Sequence, residues 1–191
     1  MNVIEAIRTR RSIGKVTQEP IAKETIEQIL EAGTWAPNHR LTEPWQFFVM
    51  SGEGRAKLGR ALANIAVHQA GEGADAAVIE TKTADAHAKS RRAPVVTGIA
   101  VAPVERRDVI ELEEYGAVFA AIQNMALTVH ALGLGAVWRT GEPCFHPLMN
   151  EAFGLRPQDK MLGFLYIGVP DMTPAQGKRS PAAGKTTWIE A

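Results

Sequence analysis

The sequence predicts one domain of mixed helix and strand, and three observations carry that prediction. Its 191 residues lie within the usual size of a single domain. With 46% hydrophobic and 22% charged residues, the composition is globular. Stretches of helical apolar spacing are interspersed with continuous apolar runs suited to buried strands. At this mass, surface scaling buries about 70% of the unfolded chain's area, enough for an ordinary core without staples. No internal repeat or domain boundary is visible.

Residues 2–10 read as a short helix, opened by the capping pair Asn2 and Glu5 and given an apolar face by Val3, Ile4 and Ile7. A second helix spans Ala22 to Ala32, with Ile26, Ile29 and Leu30 on one side and Gly33 as its stop signal. The turn-rich stretch Thr34 to Trp45 follows, its backbone fixed by Pro37 and Pro44, and Gln46 to Met50 is a strand. Leu58, Ala61, Leu62 and Ile65 define a third helix after Gly54. Residues 71–92 are alanine-rich and polar with weak periodicity, which leaves open an exposed helix or a mobile flap. Val95 to Ala102 is a buried strand. Leu112 to Leu132 is apolar nearly all round, as a core helix or an oligomer-interface helix would be. Gly133-Leu134-Gly135 ends it, and Ala136 to Arg139 and Met161 to Val169 are strands. From Pro170 the tail is polar, yet it closes with Thr187-Trp188-Ile189, an apolar triplet expected to dock on another surface.

Twenty-one basic residues balance twenty-one acidic ones. A chain without net charge has no global field to draw in nucleic acid or an anionic membrane. Any phosphate must therefore be caught by a local cluster. Cys144 is the sole cysteine, so no internal disulfide forms, in keeping with a reducing compartment. The charged N-terminus lacks a signal-peptide core, and no apolar run reaches membrane-spanning length. A soluble, cytoplasmic protein is expected.

The chain shows no side chain suited to covalent chemistry. Its five histidines and Cys144 have no zinc spacing, so no metal is expected. Neither a G-x-S-x-G elbow nor a P-loop occurs. Glu113-Glu114 reads as a solvated helix face. Gly52-Glu53-Gly54 superficially suits a dinucleotide fold, but the next glycine, Gly59, comes five residues on and falls inside the helix. If the protein is an enzyme, a cofactor performs its reaction.

Arg10-Arg11-Ser12 is the sharper signal. Two guanidiniums and a hydroxyl stand where a helix gives way to a loop, a donor set suited to phosphate. An isolated Arg-Arg pair is more often a solvated turn. Two further segments alter the balance: the rigid loop Ala36-Pro37-Asn38-His39 leading to Glu43-Pro44-Trp45-Gln46-Phe47, and the helix-to-strand passage from Gly133 and Gly135 to Trp138-Arg139-Thr140-Gly141.

Taken in order, the R-R-S, the A-P-x-x…P-W-x-F loop and the G-x-G before a strand resemble the nitroreductase family over nearly the whole chain. The resemblance implies an α+β homodimer with a central, mostly antiparallel sheet flanked by helices. Two FMN molecules would lie in the dimer interface. Arg10, Arg11 and Ser12 would bind phosphate and ring oxygens, and Trp138, Arg139 and Thr140 would complete the pocket on the same subunit. Trp35 and His39 would reach the flavin from the other subunit. The 112–132 helix would pack at the dimer core, and the tail, with Lys178, Arg179 and Trp188, would cross to the partner. The implied activity is FMN-dependent, ping-pong oxidation of NADH or NADPH with a small-molecule acceptor such as a nitroaromatic or quinone. Reductive dehalogenation in the same pocket and non-catalytic flavin binding are the alternatives. Three positions depart from the family pattern: Gly14 where a basic residue is common, Leu41 where asparagine is, and Glu43 where glutamine is.

Overall fold

The structure, a computed structural model, describes residues 1–190. Helix α1 (Val3–Thr9) opens with the expected capping box: the Asn2 side chain accepts from the Glu5 amide at 2.9 Å, and the Glu5 carboxylate accepts from the Asn2 amide at 3.4 Å. Only Ala6 of this helix is buried; Val3, Ile4 and Ile7 face outward. Helix α2 (Lys23–Thr34) runs past Gly33. That glycine is a packing site and no stop signal: a Cβ there would lie 2.9 Å from Met125 Cγ.

Strands β1 (Trp45–Ser51), β2 (Val95–Val101), β3 (Gly135–Arg139) and β4 (Lys160–Gly168) fall within one residue of their expected bounds. They form one sheet in the order β1-β2-β4-β3, with every neighbouring pair antiparallel. Helices α3 (Ala56–Ala70) and α5 (Glu111–Ala131) also lie where the spacing puts them. Of the two readings of residues 71–92, the helix is found: α4 (Ala76–Ser90) begins where the Asp75 carboxylate accepts from the Ala77 amide at 2.7 Å. Helix α6 (Pro147–Phe153) was not expected. Pro147 at its first position, the His146 side chain capping the Leu148 amide and left-handed Gly154 at its end define it.

Two cores flank the sheet. On one face Ile26 and Ile29 of α2 and Val118, Ile122 and Met125 of α5 pack on Ile99, Leu165 and Ile167. On the other, Leu58 and Ile65 of α3 and Met149 and Phe153 of α6 pack on Val96, Met161 and Phe164. Helix α4 lies on α3. Between Ile99 and Ala100 the β2–β4 register shifts, so β4 carries an extra residue there. Leu162 therefore joins the same core as Leu165 and Ile167, three and five residues on, and the in–out alternation changes phase at Gly163. Gly163 has φ 138°, and a Cβ there would run into the Trp138 indole nitrogen and stand 2.7 Å from the Arg139 carbonyl oxygen. The bulge thus lets β3 close on β4 beside three of the expected site residues.

Helix α5 explains its all-apolar sequence only in part. Ala117, Val118, Ala121, Ile122, Met125 and Val129 are core, while Leu112 and Phe119 remain exposed on its outer side. Among the described residues, no helix is long and apolar enough to cross a membrane.

Candidate active site

The loop after α1 docks along the outer edge of β3. The Ile13 amide donates to the Ala136 carbonyl at 2.8 Å, the Thr17 amide donates to the Val169 carbonyl at 2.9 Å, and Val16 bridges to Pro170. This edge pairing carries Arg10, Arg11 and Ser12 alongside β3. Arg139, the last residue of β3, extends back so that its Nη2 lies 3.7 Å from a Cβ built on Gly14. Its guanidinium sits 5.5 Å from the centre of the Tyr166 ring. The Trp138 indole donates to the Leu162 carbonyl at 3.2 Å and packs 5.8 Å from the Phe119 ring. The side chain of Thr140 borders Gly163. The two groups thus stand along the same strand but in different cavities: Trp138, Arg139 and Thr140 face α3 and α4, while Arg10 and Arg11 line a smaller cavity with Ile13, His130 and Pro170.

Charge in this region is uncompensated. Among the described residues, no carboxylate comes within 4.0 Å of the guanidiniums of Arg8, Arg10, Arg11, Arg139 or Arg179. Burial, then the charges of Arg11 and Arg179, hold the Arg10 guanidinium below its ordinary pKa. Arg11 donates to the carbonyls of Arg8 at 2.9 Å and Arg10 at 2.6 Å, and the tail presses Gly177 against its guanidinium. The Nε atoms of Arg11 and Arg139 are buried without a hydrogen-bond partner. Like charges gathered in partial burial with unused donors are costly alone and favourable around an anion.

Trp35 and His39 lie elsewhere. Trp35 caps α2 and is 79% exposed. His39 Nδ1 is 2.7 Å from the Glu113 carboxylate at the start of α5. Its loop is strained, with φ positive at Arg40, Leu41 and Glu43. Glu114 restrains it: this carboxylate, 1% exposed, accepts from the Thr42 hydroxyl at 2.6 Å and the Val104 amide at 3.3 Å. The expectation of a solvated Glu113-Glu114 face holds for exposed Glu113 and is corrected for Glu114, which is buried where it ties down the loop. At the far end of α5, His130 Nε2 is 2.8 Å from the Thr9 hydroxyl, next to Arg10. Residues 113 and 130 of one straight helix are about 26 Å apart. One chain alone does not bring His39 to the arginine cluster, and Trp35 stands exposed at the end of α2.

A cavity of about 630 Å³ opens between α3, α4 and the β3–β4 edge, with Trp138, Arg139 and Thr140 on one wall. Tyr166, Lys82, Lys89 and Arg92 also line it, none of them among the residues that the sequence marks for the site. The spacing of Lys82, Asp85, Ala86 and Lys89 was the available signal, since it is that of one helix face. Cys144 lies in the floor, its thiol pushed up to about 11 by burial, which leaves it without nucleophilic character near neutral pH.

An antiparallel sheet between two helical layers defines an α+β protein, and arginines paired with no described carboxylate lie beside its β3 edge. The comparisons with known proteins agree. The model of the nitroreductase family matches residues 7–169. The chain is 34% identical over 173 residues to the Escherichia coli (strain K12) protein named "Putative NAD(P)H nitroreductase YdjA", covering 90% of each. Its fold superposes with a TM-score of 0.86 on the crystal structure of a nitroreductase-like family protein from Bacillus cereus, at 29% identity, covering 100% of this chain and 97% of that one. A Desulfovibrio desulfuricans protein solved in complex with FMN gives 0.70 at 27% identity, covering 100% and 98%. The chain belongs to the nitroreductase family.

Proposed function

We propose that this chain is one FMN-binding domain that works as a homodimer and catalyses two-electron reduction of nitroaromatic, quinone-like or related acceptors by NAD(P)H. The observation that carries the proposal is the arginine cluster with buried, unpartnered Nε atoms and no carboxylate in reach. The Arg11 donor fits an FMN phosphate, and the Arg139 donor fits a polar edge of its ring. In this reading Arg10, Arg11 and Arg179 hold the phosphate, and the Ser12 hydroxyl adds a neutral donor. Arg139 places a cation beside the ring, and Trp138 and Thr140 form its walls. What bound FMN supplies is two-electron chemistry, drawn from NAD(P)H and delivered to the acceptor in the two halves of a ping-pong cycle. The relative from E. coli carries NAD(P)H in its name, and the D. desulfuricans neighbour was solved with FMN, which supports both assignments.

Dimerisation has its own support. Val3, Ile4 and Ile7 of α1, Leu112 and Phe119 of α5, and Trp35 are large exposed apolar side chains, surface that a second copy would cover. Two copies with α5 antiparallel across a two-fold axis set the His39 end of one helix against the Arg10 end of the other. Trp35 and His39 then reach the partner's flavin. The single chain keeps Gly177 on its own Arg11, while Trp188 and Ile189 stand exposed for a second surface.

The test is spectroscopic. Purified protein should absorb near about 450 nm, bleach with NADH or NADPH without oxygen, and regain colour when a nitroaromatic or quinone is added. A flavin that NAD(P)H leaves oxidised would make the protein a carrier. Colourless protein that ignores added FMN would remove the proposal altogether.

A further inference from the structure

Helix α4 packs as an amphipathic surface helix does, with Ile79, Thr83, Ala86, His87 and Ser90 on its inner side. Val78 is 48% exposed, while Lys82, Asp85 and Lys89, spaced three and four apart, line the cavity. Contact with α3 is made by a neighbouring stripe: Ala86 and Ser90 are buried, and His87 and Ser90 sit so close to Gly59 that a Cβ there would be 2.7 Å from the His87 ring. Helix α4 is therefore held in place by one face and presents lysines from the next.

Arg92, just beyond α4, and Arg139, on the opposite wall, bring the cavity's cations to four against the single carboxylate of Asp85. None of the four forms an ion pair within 4.0 Å among the described residues. The floor is of a different kind, built from Leu62, Ile65, Phe164 and Tyr166. A volume of about 630 Å³ suits one small molecule. An apolar, ring-bearing floor under a cationic rim matches a planar apolar body carrying an anionic group.

We propose that this cavity is the acceptor pocket and that it selects aromatic anions, such as ring carboxylates, over neutral molecules of the same shape. The pocket meets the proposed flavin site at Trp138, Arg139 and Thr140, so its role as an acceptor pocket rests on the FMN reading; its preference for anions does not. For a nitroaryl carboxylate the balanced first reduction consumes NAD(P)H and one proton. One N–O bond breaks, and the nitroso carboxylate, NAD(P)+ and water form.

The experiment compares 4-nitrobenzoate with 4-nitrotoluene, which exchanges the carboxylate for a methyl group. Calorimetry on the purified protein at low salt should give about tenfold tighter binding of 4-nitrobenzoate, and added salt should shrink the preference. In K82A/K89A, which alters two exposed side chains, the ratio of the two dissociation constants should fall towards one. Equal binding by the unaltered protein would overturn the proposal, as would a preference that survives the double substitution. A rise in KM for NADPH but not NADH, with the nitrobenzoate preference intact, would reassign the lysines to the 2′-phosphate of the nucleotide and equally overturn it. Colourless protein that still prefers 4-nitrobenzoate would sink the flavin reading and leave the cavity's anion preference standing.

Discussion

Arg10→Ala is expected to weaken FMN binding about 10- to 100-fold and to leave the flavin-free protein no less stable. The first effect is the loss of a charge-assisted hydrogen bond, roughly 1.5–3 kcal/mol, converted to affinity. The second follows from the sign of the pKa shift. Burial, Arg11 and Arg179 lower the Arg10 pKa, so folding disfavours the protonated guanidinium. Arginine is charged in both folded and unfolded states at neutral pH, so this cost applies throughout the physiological range. Removing the charge relieves the folded state even as it removes a phosphate donor. Fluorescence titration of FMN into flavin-free protein and a urea midpoint measure the two halves. Unchanged affinity, or a clearly lower midpoint without FMN, would contradict the assignment.

Gly163→Ala is expected to cost about 2–4 kcal/mol of stability, a fall in Tm of about 5–15 °C for a chain of this length. Two effects combine. The residue sits at φ 138°, where side chains are strained, and its Cβ would stand 2.7 Å from the Arg139 carbonyl oxygen and 3.0 Å from Thr140 Cγ2. Backbone cannot yield as a flexible side chain does. Strand β3 must move outward, and the Trp138 hydrogen bond to the Leu162 carbonyl goes with it. Differential scanning calorimetry decides the matter: a Tm within about 2 °C of the unaltered protein would show that the bulge adapts at little cost.

Local pattern carried much of the fold. The capping box of α1, the spacing in α2 and α3 and the apolar runs of β2 and β4 depend on neighbours within a few residues, and those survive in a bare sequence. Other features depend on what is packed opposite. Gly33 looks like a helix stop until Met125 is seen against it. Glu114 looks solvated until Thr42 and the Val104 amide close on it. Helix α6 is as short as α1 but has no Asn-Glu capping pair to mark its start. The site divides in the same way. Arg10-Arg11-Ser12 and Trp138-Arg139-Thr140 were recognisable as motifs, but their placement along the same strand depends on the Ile13 to Ala136 hydrogen bond, which no spacing encodes. The lysines of α4 went unread because a charged stripe ordinarily faces water.

The length of α5 has a genetic consequence. Its two ends carry the His39 and Arg10 contributions of a single chain, so each flavin slot of the proposed dimer draws on both copies. Arg10→Ala and His39→Ala would then damage every slot when each variant is made alone. Co-expressed, they pair at random; about half of the dimers are mixed, and each mixed dimer gathers both lesions in one slot and leaves the other intact. About a quarter of normal slots should return, measurable as tightly held FMN, whereas blending the two separately purified variants without subunit exchange should restore none.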